Sequence, residues 1–190
     1  MRLTRRQSIV LGAAAFGSLA AGSGRAQDAM PGDAYEIEGG EVVIHPVEHA
    51  SFVMTLPGMV IYNDPVGGAE KYRGLPPPGL ILVTHEHSDH FDVPTLEGLV
   101  GENTRLLTNP SVHEKLPEGL RARATAIANG ETTTANAVAI DAIPAYNTTP
   151  ERLQYHPQGR DNGYVLTIGG KRIYIAGDTE GIPEMRALEA

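Results

Sequence analysis

Gly79-Leu80-Ile81-Leu82-Val83-Thr84-His85-Glu86-His87-Ser88-Asp89-His90 decides how this chain is read. The run Leu80 to Val83 is wholly apolar and follows prolines at 76, 77 and 78, which stiffen the approach to it; it reads as a buried strand. That strand empties into three imidazoles and two carboxylates within six residues. Imidazole is the commonest biological metal ligand, and zinc is satisfied by His nitrogen and Asp oxygen in three or four positions. His85 and His87 sit two apart, so in an extended or turn conformation they point the same way. Asp89 and His90 lie one turn further on, within reach of a second ion. A lone histidine at a strand end is usually a surface or hydrogen-bonded residue, but three in six with an intervening Asp have the spacing of metal ligands.

The pattern HxHxDH after an apolar strand resembles the metallo-β-lactamase superfamily of metal-dependent hydrolases. The likeness extends from about Val42 through IHPVEHASFVMTLPGMVIYNDPV (44–66), ILVTHEHSDHFD (81–92) and NGYVLTIGGKRIYIAGDTEGIPEM (162–185). It is strongest to the small hydrolases that include the ascorbate-6-phosphate lactonase-like proteins, rather than to the antibiotic-degrading branch. The resemblance implies an α+β, four-layer αββα sandwich and hydrolysis of an ester, lactone or phosphoester of a small-molecule substrate by a metal-bound hydroxide. It implies two Zn2+ ions, with Mn2+ or Fe compatible with the same ligands. His85 and His87 would hold the first metal, Asp89 and His90 the second, and Asp178 of Gly177-Asp178-Thr179 would bridge them. Asp89 is also the candidate catalytic residue. The third ligand of the first metal is His156, in His156-Pro157-Gln158-Gly159, or Asn147, which stands at the end of the strand Val138 to Pro144 where many members carry a His. His49 and Asp64 end early strands. His49 is expected to contact substrate or a metal ligand, and Asp64, before Pro65, to be a turn residue.

Met1 to Ala26 reads as a twin-arginine export signal: Arg5-Arg6, a modest Ala/Gly/Leu-rich segment, and small residues before the cleavage point near Ala26. Its apolar part is too short and glycine-rich to span roughly 30 Å of hydrocarbon, so no stable membrane anchor is expected. The mature protein is therefore expected in the periplasm. Residues 27–34 form a linker and 35–190 a single domain. The chain has no cysteine, so no disulfide or thiolate site can contribute. A net charge of -8, without a basic cluster after Ala26, argues against a nucleic-acid partner.

Tyr35 to Glu38, Glu41 to Glu48, Ser51 to Leu56 and Met59 to Asn63 read as strands joined by tight turns at Gly39-Gly40 and Pro57-Gly58. Val93 to Val100 reads as a helix with Asp92 as N-cap, Thr104 to Thr108 as a strand and Pro110 to Lys115 as a short helix. Val138 to Pro144, Tyr164 to Ile168 and Arg172 to Ala176 complete the expected strands, with a hairpin turn at Gly169-Gly170-Lys171. Clustered strands with helices following suit two sheets packed between helices. The resemblance implies a further strand and a last metal-binding His after the tail Ile182 to Ala190, and no residue here matches them. The C-terminal part of the second half is therefore expected to be missing, leaving Ile173 and Ile175 on an uncovered face. The alternative function is then a truncated, inactive metal-binding remnant.

Overall fold

A computed structural model describes residues 31–188. The expected export segment, residues 1–26, lies outside the described residues. Asp33–Ile37 (β1), Gly40–Glu48 (β2), Ser51–Leu56 (β3), Met59–Asn63 (β4), Leu80–Val83 (β5), Arg105–Thr108 (β6) and Ala124–Ala126 (β7) form a seven-stranded sheet in sequence order. β1 to β4 are antiparallel and β4 to β7 parallel. The connections dictate this change: tight turns can join only antiparallel neighbours, whereas parallel neighbours need a crossover. The crossovers carry a 3-10 turn at Ala69–Tyr72 and the helices Val93–Leu99 (α1), Pro110–Lys115 (α2) and Glu118–Arg121 (α3). Thr132–Ala135 (β8), Val138–Ala145 (β9), Asp161–Ile168 (β10) and Lys171–Ile175 (β11) form a second, antiparallel sheet in the order β11-β10-β9-β8.

β5 explains the apolar run. Leu80 and Leu82 enter the core between the sheets with Met54, Ile61, Ile140, Leu166 and Ile175. Ile81 and Val83 turn the other way, onto Leu96 of α1, Val112 of α2, Leu116 just after it and Leu120 of α3. A strand buried on both faces shows no polar alternation. Burying each such aliphatic side chain contributes about 1.5–3 kcal/mol relative to leaving it in water. Tyr164, fully buried in β10, ties the sheets together by donating its hydroxyl to Val83 O at 2.9 Å, and burial pushes its phenol pKa up. The one-turn helix Pro183–Arg186 (α4), with Met185 and Leu188 beside Val165 and Tyr174, lies on the outer face of the second sheet. The layers run helix, sheet, sheet, helix, the αββα sandwich that the resemblance implies.

The differences from expectation are local. β7, β8 and α3 carry no strong sequence pattern, and β10 begins at Asp161 rather than Tyr164. β11 has β10 as its one strand partner among the described residues. Its apolar face is nevertheless turned inward, contrary to expectation: Ile175 is buried in the inter-sheet core and Ile173 packs against it. Gly169 and Gly170 join β10 to β11 with φ of 49° and 73°, the two left-handed residues that a type I′ hairpin turn requires. No helix among the described residues is long and apolar enough to cross a membrane.

Candidate metal centre

The carboxyl ends of parallel strands gather along one edge of a sheet, where open α/β folds present their chemistry. β4 runs into Asn63-Asp64, β5 into Thr84-His85 and β6 into Asn109. Asp64 is fully buried and locks the first two ends together. Its N–H donates to Leu82 O at 2.9 Å, and its carboxylate accepts the Thr84 N–H and the Thr84 hydroxyl, each at 2.7 Å. Asn109 caps α2 by accepting the Val112 N–H at 2.8 Å and donates its amide to Thr84 O at 2.9 Å. The second sheet reaches the same carbonyl through the Asn162 N–H, at 3.1 Å. His85 thus leaves a strand end anchored by both sheets.

The turn His87 to Phe91 closes when the His90 and Phe91 N–H groups donate to His87 O at 2.9 and 2.8 Å, bringing His90 back over His85. Ring centroids are 4.0 Å apart for His85 and His90, 4.7 Å for His85 and His87, and 4.6 Å for His87 and His156. Three groups each have their ligand atoms within 4.8 Å of one another: His85, His87 and His156; His49, Asp89 and His90; and His85, His90 and Asp178. Seven of the eight sequence candidates are therefore brought together. Asn147 is the exception. Its amide donates to Arg152 O at 3.0 Å and its N–H to His156 O at 2.9 Å, so it shapes the loop that delivers His156.

What sequence reading missed is the layer behind the histidines. His90 Nδ1 lies 2.9 Å from Asp64 Oδ2, His156 Nδ1 lies 3.0 Å from Asp161 Oδ2, and His85 Nδ1 lies 3.0 Å from the Thr84 hydroxyl. An imidazole held at Nδ1 by an oxygen presents Nε2 forward, as metal-ligating histidines do. Asp64 is thus a buried positioning residue rather than a turn residue, and its φ of 42° brings its carboxylate under His90. Asp161, also fully buried, accepts two hydrogen bonds from Arg160, Nε at 2.7 Å and Nη2 at 3.0 Å. Arg160 Nη1 reaches Glu86 Oε1 at 3.7 Å, and Glu86 meets Lys115 Nζ at 2.8 Å and the Ser111 hydroxyl. Glu86 of the motif therefore braces α2 against the His156 loop instead of entering the cluster.

Burial pulls the His85 pKa down to about 2, reinforced by repulsion from His90, His87, His156 and Arg160. Burial also lowers that of His87, with His156 and Arg160 adding to the effect. For His90 burial acts downward, but the hydrogen bond and charge of Asp64, with Asp178 and Asp89 nearby, outweigh it and leave the pKa raised.

Asp178 arrives from the second sheet. Gly177 has a φ of 62°, and a side chain there would meet Asn162 O at 2.9 Å, so only glycine lets the chain pass so close to β10 before it presents Asp178. Asp178 Oδ1 lies 3.3 Å from His90 Nε2 and Oδ2 lies 3.6 Å from His156 Nε2, one oxygen toward each side of the cluster. Two residues on, Glu180 fixes this turn to the loop after β9. One carboxylate oxygen accepts the N–H and hydroxyl of both Thr148 and Thr149, at 2.8–2.9 Å. These donors, the Thr148 hydroxyl foremost, hold the Glu180 pKa down at about 2.

The donor set fits a divalent cation. Nε2 of His85 and of His90 are both buried without a hydrogen-bond partner, although His90 Nε2 has Asp178 within ion-pair distance. An orphaned buried ring nitrogen is costly, and a cation at the convergence of these nitrogens and carboxylates would satisfy them.

Comparison with known proteins bears on the family and the fold. A metal-dependent hydrolase of Ligilactobacillus salivarius, of the group called UPF0173, is 31% identical over 145 residues, 74% of this chain. The chain spans 63% of that relative's length. A solved Parabacteroides distasonis structure, assigned as a metal-dependent hydrolase, is 39% identical with a TM-score of 0.75, covering 84% of this chain and 71% of its own. The diiron β-hydroxylase of Streptomyces venezuelae is similar in fold, with 22% identity and a TM-score of 0.56 over 76% of this chain and 30% of its own. The family description of the β-lactamase superfamily domain matches residues 55–190. Because those residues build the whole second sheet, β4 to β7 of the first and every part of the histidine cluster except His49, the chain belongs to the β-lactamase superfamily, in its metallo-β-lactamase fold.

Proposed function

We propose that the protein is a metal-dependent hydrolase that cleaves an ester, lactone or phosphoester bond of a small-molecule substrate. One observation carries the reading. Three histidines have Nδ1 held from behind by Asp64, Asp161 and Thr84, and with His87 their rings form one cluster around His85. His85, His87 and His156 would hold a first cation and Asp89 and His90 a second, with Asp178 shared between them. Zinc is the cation proposed, and the same nitrogen and oxygen donors accept Mn2+ or Fe. When bound, such cations supply a Lewis acid and lower the pKa of a water from 15.7 to roughly 7. Asp89, half exposed at the open side of the cluster, would accept the proton given up by the attacking water and pass it to the leaving-group oxygen as the scissile bond breaks. Asp64, Asp161 and Glu180 would hold the ligands in place, and the loop residues 147–156 would border the substrate. The relatives described as metal-dependent hydrolases support the reaction class. Action in the periplasm after twin-arginine export is part of the proposal and rests on Arg5-Arg6 and the segment behind them.

Elemental analysis of purified protein, with hydrolysis of p-nitrophenyl esters, lactones and bis(p-nitrophenyl) phosphate, tests the reading. The protein should carry metal and turn over at least one of these classes, and His85→Ala with His87→Ala should abolish both properties. Equal metal in the two forms would refute the ligand assignment. Metal without hydrolysis of any class would favour an inactive metal-binding remnant.

A further inference from the structure

His49 occupies the two-residue turn between β2 and β3, far from the HxHxDH motif in sequence. Its backbone is left-handed, with φ of 46°. Among the described residues three non-glycines adopt positive φ, His49, Asp64 and Asn136, and the first two flank the histidine cluster. Glycine or asparagine would fill such a turn at lower cost, and side chains held in this region concentrate at functional sites. The turn directs the imidazole at the motif. His49 Nε2 lies 3.2 Å from Asp89 Oδ2, and its ring stands edge-on to His90 at a centroid distance of 5.2 Å.

A simple ion pair does not account for this placement. His49 and Asp89 are 53% and 54% exposed, and a solvated pair contributes only about 0–1 kcal/mol. Coordination accounts for it better. Two ligands about 2.0–2.1 Å from a tetrahedral zinc are roughly 3.3 Å apart. The separation of His49 Nε2 from Asp89 Oδ2 is 3.2 Å, and that of His90 Nε2 from Asp178 Oδ1 is 3.3 Å. His90 Nε2 is fully buried, has no hydrogen-bond partner and shares a group of ligand atoms within 4.8 Å with His49 and Asp89.

We propose that His49 is a direct ligand of the second divalent cation, beside Asp89 and His90, with Asp178 reaching the same cation from the other side of His90. The proposal rests on the hydrolase reading and adds to it a ligand from the β2–β3 turn, outside every motif that marks the metal centre in the sequence. His49 and Asp89 are half exposed and Asp178 nearly so, so the second position faces solvent while His85 and His156 keep the first inside.

The test uses the full chain, stripped with a chelator and titrated with Co2+ alone, followed by visible absorption and by counting bound ions. Wild-type protein should bind two ions in resolvable steps. His49→Asn keeps a residue that tolerates the left-handed turn and removes the imidazole. It should leave the first step unchanged, weaken the second by a factor of at least about ten, and alter the absorption of that step. His49→Gly suits the same turn and serves if the Asn variant fails to fold. Two ions bound by both chains with equal affinities and spectra would overturn the assignment, leaving His49 to orient Asp89. A single ion bound identically by both would overturn it as well, with the first position intact. Wild-type protein that binds no Co2+ would overturn the hydrolase reading together with this proposal.

Discussion

Replacing Asp64 by Asn changes one atom in a place where every hydrogen bond is committed. Oδ1 accepts the Thr84 N–H at 2.7 Å. Oδ2 accepts the Thr84 hydroxyl at 2.7 Å and the Asn63 amide at 3.2 Å, and lies 2.9 Å from His90 Nδ1. With the amide nitrogen at Oδ1, two donors face each other at the Thr84 N–H. With the amide nitrogen at Oδ2, it opposes the Asn63 amide and forces His90 Nδ1 to accept, so the proton moves to Nε2, the nitrogen that should receive the cation. Neither orientation keeps the set.

Losing a charge-assisted hydrogen bond in a buried place costs about 1.5–3 kcal/mol, part of which is offset because a neutral amide is easier to bury than a carboxylate. Removing the partner behind a metal-ligating histidine typically weakens metal binding 10–100-fold, or about 1.4–2.7 kcal/mol. Asp64→Asn should therefore lower the urea midpoint of the metal-free protein and weaken the second cation by that factor. The first position should change less, because Asp64 reaches His85 only through Thr84. Chelator-competition titration with Zn2+, beside urea unfolding of the stripped protein, reads both effects. Affinities within twofold of wild type at both positions would refute the claim that Asp64 sets the His90 proton.

Tyr164→Phe removes the hydroxyl that joins β10 to Val83 O at 2.9 Å and should cost about 1–2 kcal/mol, read as a lower urea midpoint with an unchanged slope; an unchanged midpoint would deny that bond a role. The Glu180 pKa is depressed in the folded protein, from an ordinary 4.5 to about 2, so its stabilising contribution is full above the unfolded value and lost as pH falls through the folded one. The thermal midpoint of Glu180→Gln should accordingly lie below wild type from neutral pH to about 4.5 and converge on it between there and about 2; a gap independent of pH would contradict the assignment. Arg5→Lys with Arg6→Lys keeps the charge but removes the twin arginine, so periplasmic yield should fall, and unchanged yield would rule out that export route.

The legible parts of this chain were those whose chemistry is local. The run Leu80 to Val83 announces a strand because burial on both faces leaves no polar position, and the motif announces a metal site because four candidate ligands fall within six residues. Gly169-Gly170 announces its hairpin through the φ it permits. β7 and β8, Ala124–Ala126 and Thr132–Ala135, were illegible because small residues and threonines become strands here through their neighbours, β8 by pairing with Val138–Asp141 of β9. Asp161-Asn162-Gly163 lies before the expected strand start at Tyr164 but extends β10, since Asn162 bonds Thr84 O and Gly163 lets the Ile175 and Ala176 carbonyls approach. Asp64 and Asp161 share that difficulty. An Asp before Pro65 and an Asp after Arg160 look like solvated loop residues, and only complete burial against a histidine gives them their role.

The centre is assembled from four separate segments: the β2–β3 turn, the end of β5, the loop before β10 and the turn after β11. The first two belong to one sheet and the last two to the other. Between the sheets below lies apolar packing, which is non-directional and would tolerate a small slide. At the top, polar contacts remove that freedom, with Thr84 O receiving Asn109 from one sheet and Asn162 from the other, and Glu180 stapling the last two segments together. A cation bound by His85 and His156, or by His90 and Asp178, would add bonds across the same seam. Metal loading would then act on the relation of the two sheets as well as on chemistry, since a ligand held at 100 times its Kd adds about 2.7 kcal/mol to a fold stable by only about 5–15 kcal/mol. It follows that the positioning residues cannot be divided cleanly into those that serve the site and those that serve the fold. Asp64 holds the ends of β4 and β5 together and orients His90 with the same carboxylate.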